Sequence, residues 1–83
     1  MAEDLETLAA DLAVDTRGQL CPLPVLAAGK NIGKVPAGGV LEILATDAGA
    51  ASDVPAWAKR AGHDYLGLLQ EPGYLRLFVR RRA

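Results

Sequence analysis

Cys21 is the residue of this chain whose chemistry its neighbours define best. The run Cys21-Pro22-Leu23-Pro24 opens a segment from Val25 to Lys34 that is rich in alanine and leucine. Proline is tolerated in a first helical turn, whose amides lack intrahelical partners in any case, so the thiol is placed at or beside a helix N-cap. There the positive end of the helix dipole and unpaired amides favour thiolate over thiol, and such settings lower a cysteine pKa from ~8.5 into the range ~3.5–7.5. The expected chemistry is that of a surface thiolate acting as a nucleophile. Pro24 stands where a Cys-x-x-Cys redox motif carries its second thiol, and Cys21 is the only cysteine in the 83 residues. A dithiol cycle within one chain is therefore excluded.

The bland alternative for a lone cysteine is a small buried hydrophobe. The polar turn Asp15-Thr16-Arg17-Gly18 before it and the helix start after it predict exposure instead. Arg17 and Lys30 are the bases expected to raise the positive potential near the sulfur, with Gly18, Pro22 and Pro24 shaping the backbone around it. Elsewhere the signals are weaker. His63 has no partner for acid or base work and reads as a loop or cap residue. Asp15, Asp47 and Asp53 sit at turn and cap positions without compact ligand spacing, so no metal is expected. Gly38-Gly39 lacks the lysine and hydroxyl of a phosphate loop, and no oxyanion loop accompanies Cys21 and His63. Trp57, with Ala58 and Ala61, fits a helix packing stripe. Arg76, Arg80 and Arg81, with Arg82 beside them, form a basic C-terminal strand expected to dock a partner.

These residues must be positioned by short elements. Asp11 to Thr16, with Leu12, Ala13, Val14 and Asp15, reads as a short strand ending at Arg17-Gly18, and Val25 to Lys34 as a helix with an apolar and a basic face. Val35-Pro36-Ala37-Gly38-Gly39 is a turn, followed by the buried strand Val40 to Thr46 with Glu42 as its one charge. A second helix, capped by Ser52 or Asp53 with Pro55 in its first turn, ends at Gly62. His63 to Gln70 and Tyr74 to Arg80 then make a hairpin about Glu71-Pro72-Gly73. The order β-α-β-α-β-β predicts an α/β (α+β) two-layer sandwich, a mixed four-stranded sheet with two helices on one face. Residues 1–10, which hold Glu3, Asp4 and Glu6, read as an acidic N-terminal extension to a single domain over 11–83.

Length and composition set the outer limits. Eighty-three residues exclude a two-lobed enzyme, and a domain this small keeps its chemistry near the surface rather than in a deep cavity. A hydrophobic share of 51% allows a core built from Leu, Val, Ile and Ala. The net charge of −1 argues against direct nucleic-acid binding through bulk electrostatics. The apolar runs are too short for a membrane span, and a lone thiol without a leader pattern points to the reducing cytoplasm.

The segment Asp15-Thr16-Arg17-Gly18-Gln19-Leu20-Cys21-Pro22-Leu23-Pro24 resembles the signature of the TusA (SirA-like) sulfur-carrier family. Lys30, Pro36-Ala37-Gly38, Asp47, Asp53-Val54-Pro55-Ala56-Trp57, Gly62-His63 and the basic final strand extend the resemblance over residues 11–82. It implies a carrier of sulfurtransferase type, rather than a multiple-turnover enzyme on small molecules. Cys21 would accept sulfane sulfur as a persulfide and pass it to a downstream thiol acceptor protein. The implied donor is a cysteine desulfurase or a rhodanese-like protein, with no cofactor beyond the covalent persulfide sulfur on Cys21. Leu23 stands where members associated with tRNA thiolation often carry an acidic residue, which brings the chain closer to general or sulfur-metabolism paralogues. A narrower variant takes sulfur directly from thiosulfate. The reading of another class is a non-catalytic protein- or RNA-binding regulatory module that uses the arginine strand while Cys21 merely packs.

Overall fold

The computed structural model describes residues 4–82; residues 1–3 and 83, and with them Glu3 of the acidic extension, lie outside the described residues. The elements follow the order β1 (Leu12–Asp15), α1 (Leu23–Asn31), β2 (Val40–Ala45), α2 (Ala50–Ala61), β3 (Asp64–Glu71) and β4 (Tyr74–Arg80). A 3₁₀ turn at Ile32–Lys34 follows α1, so the helical segment tightens at Gly33 rather than running as α-helix to Lys34.

The sheet order is β1-β2-β4-β3, with β1 parallel to β2 and the other two pairings antiparallel. Alternation assigns the faces. Leu41, Ile43 and Ala45 of β2, and their cross-strand partners Leu75, Leu77 and Val79 of β4, join Ala28 of α1 and Val54 and Ala58 of α2 in one buried cluster. Leu12, Val14, Tyr65, Leu68 and Trp57 pack against its margin. The fold is the mixed four-stranded α+β sandwich with two helices read from the sequence.

The opposite face of the sheet is not bare. Phe78 is fully buried there, with the Arg76 guanidinium 5.4 Å over its ring. Arg76 in turn bonds Glu42 at 2.6 Å and Glu71 at 3.2 Å, laying an ion-pair network across β2, β4 and β3. The N-terminal segment also reaches this face. A turn at residues 5–7, closed by the Thr7 N–H and hydroxyl on the Asp4 carbonyl, brings Leu5 to Gly67, the cross-strand partner of Phe78. A Cβ at Gly67 would stand 3.0 Å from Leu5 Cδ1, on a backbone at φ +132° that side chains rarely adopt.

One sequence expectation is corrected at α2. The helix starts at Ala50 with Gly49 as N-cap, so neither Ser52 nor Asp53 caps it and Pro55 lies inside it. The cause is Asp47, whose carboxylate accepts the Gly49 N–H at 3.1 Å while its carbonyl accepts the Ala50 N–H at 3.0 Å. This Asx turn winds the chain into the helix early. Pro55 offers no N–H to Ala51, whose position is exposed and leaves its carbonyl open to water.

Candidate functional site

The turn that delivers Cys21 is tied to the end of β2. Thr16 is buried, and both its N–H and its hydroxyl donate to the Leu44 carbonyl, at 2.8 and 2.6 Å. Gly18 takes φ +84° and donates its N–H to the Thr46 hydroxyl at 2.8 Å. Asp47 then holds the site itself. One carboxylate oxygen accepts the Cys21 N–H at 2.7 Å and the other the Gly49 N–H, so one side chain joins the cysteine loop to the start of α2. The Cys21–Pro22 peptide is cis. Pro22 is the N-cap of α1, and Pro24 is buried in its first turn.

The thiol is exposed and opens on a cavity of about 200 Å³ lined by Cys21, Pro22, Val25, Asp53, Ala56 and Arg60. The last three recur at intervals of three and four along α2, which places them on one helical face turned toward α1. Asp53 accepts a hydrogen bond from the thiol and pushes its pKa above the ordinary value; desolvation and the charges of Asp53 and Asp47 push the same way. The direction is opposite to the lowering expected from a helix N-terminus.

The reason lies in the same residues that suggested activation. Pro22 and Pro24 have no N–H, Cys21 gives its own to Asp47, and Leu23 gives its own to the Leu20 carbonyl at 2.9 Å. The helix N-terminus is thus stripped of most amides that would stabilise an anion. Two carboxylates stand in their place.

Arg17 is committed elsewhere. Its guanidinium bonds Asp15 at 2.8 and 2.9 Å and lies 5.1 Å over the Tyr74 ring. Lys30 is in the last turn of α1, roughly 10 Å along the axis from Leu23 at 1.5 Å per residue. The cation that does line the cavity is Arg60, for which no hydrogen bond or ion pair is found among the described residues.

The basic strand is separate from the thiol. Arg76 is held by Glu42 and Glu71 on the far face of the sheet. Arg80 donates to the Gly38 carbonyl at 3.1 Å, and Arg81 to the Gly33 and Val35 carbonyls at 3.2 and 2.5 Å. These two anchor the chain end beside the start of β2, whereas Cys21 is tied to residues just past its other end. Apolar side chains neighbour Cys21 along the chain. Leu20, Leu23 and Leu26 are the exposed large hydrophobic residues, at 70, 47 and 52%. The Asp53, Ala56, Arg60 spacing was the sequence signal for the cavity wall; nothing in the sequence joined it to Cys21.

The family model described as Sulfurtransferase TusA matches residues 13–81. YrkF of Bacillus subtilis is 44% identical over 72 residues, which are 87% of this chain and 39% of that longer protein. The sulfur carrier protein TusA of Pseudomonas syringae is 31% identical over 83 residues, covering 100% of this chain and 99% of the relative. A crystal structure of a SirA-like protein from Desulfitobacterium hafniense superposes with a TM-score of 0.75 at 24% identity, over 87% of this chain and 99% of the other, and shares the fold.

Proposed function

The chain belongs to the TusA sulfurtransferase family, and from that premise we propose that Cys21 accepts a sulfane sulfur as a persulfide and hands it to a thiol of an acceptor protein. In loading, Cys21 loses its proton, its thiolate attacks the outer sulfur of a donor R–S–SH, and the donor S–S bond breaks with its electron pair moving to the inner sulfur. The proton returns to that leaving thiolate, giving R–SH and Cys21–S–SH with no net oxidation. In discharge an acceptor thiolate attacks the outer sulfur of the Cys21 persulfide, and Cys21 departs as the thiolate. No resolving cysteine is wanted at either step.

The observation that carries this reading is the exposed thiol in a segment that also exposes Leu20 and Leu23 on either side of it in the chain and Leu26 in the helix that follows. A thiol serving only small molecules has no use for such a rim, whereas apolar side chains around a reactive atom exclude water when a second protein docks. The donor proposed is a cysteine desulfurase or rhodanese-like protein. The test is intact mass after incubation with a desulfurase plus cysteine, and separately with thiosulfate, on wild type and Cys21→Ser. One added sulfur on wild type alone supports the carrier, and the effective donor separates protein relay from direct use of thiosulfate. No added sulfur from either source refutes it.

A further inference from the structure

We propose that Asp53 keeps the unloaded carrier quiescent and is at the same time the docking mark for its donor, a protein that presents a cationic side chain beside its persulfide and an apolar rim around it. The inference rests on the carrier reading above.

The cavity at the thiol is bounded on the α1 side by Pro22 and Val25, which bring no charge, and on the α2 side by Asp53, Ala56 and Arg60. From the loop before α2 comes Asp47. Its two oxygens are both occupied by backbone amides, so it fixes geometry rather than receiving a partner. Arg60 lies two helical turns beyond Asp53, and no ion pair joins the two among the described residues. Asp53 is therefore the acidic group left to meet an incoming charge, and it lines the same cavity as the reacting thiol, whose pKa it pushes up.

Three consequences follow from that placement. An isolated carrier presents its thiol beside a negative charge that disfavours the thiolate, which slows alkylation and discourages anionic small molecules. A partner cation that pairs with Asp53 withdraws the acceptor holding the thiol proton, and its own charge favours thiolate. Activation is thus confined to the docked complex. The exposed leucines supply the apolar contact that excludes water, where the new pair is strongest.

The experiment compares wild type, Asp53→Asn and Asp53→Glu in three assays at pH 7: alkylation by iodoacetamide, sulfur uptake from glutathione persulfide, and sulfur uptake from a cysteine desulfurase charged with cysteine. Asp53→Asn is expected to speed alkylation and small-donor uptake, since each pKa unit regained raises the thiolate fraction about tenfold. The same variant is expected to slow uptake from the protein donor about tenfold or more, because the donor cation is left unpaired. Asp53→Glu, which keeps the charge, restores protein-donor uptake. Circular dichroism of the variants checks that the fold persists, and Asp53→Ala, which also removes the charge, stands in if Asp53→Asn does not fold: faster alkylation with slower protein loading would again support the proposal. Asp53→Asn loading from the desulfurase as fast as wild type, or faster, overturns the docking role. Unchanged alkylation overturns the quiescing role. Wild type that gains no sulfur from any donor sinks the carrier reading, and this outcome is distinct from both.

Discussion

The carboxylate of Asp47 accepts the Cys21 N–H at 2.7 Å across a sequence separation of 26 residues, and with its second oxygen it sets the start of α2. The reactive loop and the helix that walls its cavity are therefore registered by one side chain. Asp47→Ala is expected to cost about 1 kcal/mol, the net worth of such a hydrogen bond, read as a lower urea midpoint with unchanged slope. It should also widen the range of Cys21 positions, so that sulfur uptake from a protein donor falls more than alkylation by iodoacetamide rises. Equal changes in both assays would show that Asp47 does not register the site.

How much of this arrangement the sequence displayed differs between fold and site. The strand and helix order was legible because apolar periodicity and Pro-Gly turns are local signals: Pro72-Gly73 marks the hairpin, and alternation along Tyr74–Arg80 assigns its two faces. Cys21 and its exposure were legible for the same reason. The direction of its acid–base behaviour was not, because Asp53 reaches the thiol from the other helix and the prolines that advertise a helix start also remove its amides. Nor was the fate of the arginines. Alternation put Arg76 and Arg80 on one face, but only the register that brings Glu42 and Gly38 beside them shows them bonded within the chain.

Cys21 and Asp15 give opposite pH responses. A thiol whose folded pKa lies above its unfolded value adds stability that is fully present below the unfolded pKa and is lost as pH rises through the folded one. Cys21 should therefore alkylate slowly at pH 7 and titrate above ~8.5, as followed by the rate of iodoacetamide reaction against pH. Asp15 works the other way. Its bond to Arg17 lowers its pKa from 3.8 to about 2, so its contribution is present above 3.8 and is lost as pH falls through about 2. A carboxyl NMR titration should place the Asp15 midpoint near 2, and Arg17→Ala should return it toward 3.8. An Asp15 midpoint unmoved by that substitution would show that Arg17 is not the cause.

Arg76 separates stability from docking. It bridges Glu42 and Glu71 and covers Phe78 on the face away from the helices. Arg76→Ala leaves the largely buried Glu42 carboxylate without its closest cation and uncovers the aromatic ring. The expected loss is about 2 kcal/mol in a denaturant melt, as for a hydrogen bond to a charged group. Sulfur uptake by the folded fraction should be unchanged, because the substitution touches nothing at the thiol. A variant of normal stability that no longer loads from a protein donor would reverse the assignment and make the strand a docking surface.

Leu23 tests the apolar rim most directly, because it sits between the two prolines and is about half exposed, so its replacement costs the core little. Leu23→Glu adds a third negative charge near a cavity that already contains Asp53 and adjoins Asp47. If protein docking through the rim delivers sulfur, uptake from a desulfurase should fall about tenfold, the scale expected for losing one central apolar contact at an interface. Uptake from glutathione persulfide should fall far less, since that donor needs no rim. The pairing of assays matters, because a Glu that merely raised the Cys21 pKa would slow both donors and alkylation together. Leu23→Ser removes the apolar surface without adding charge and separates the two causes. Loss with both substitutions assigns the effect to the rim, and loss with Glu alone assigns it to electrostatics at the thiol.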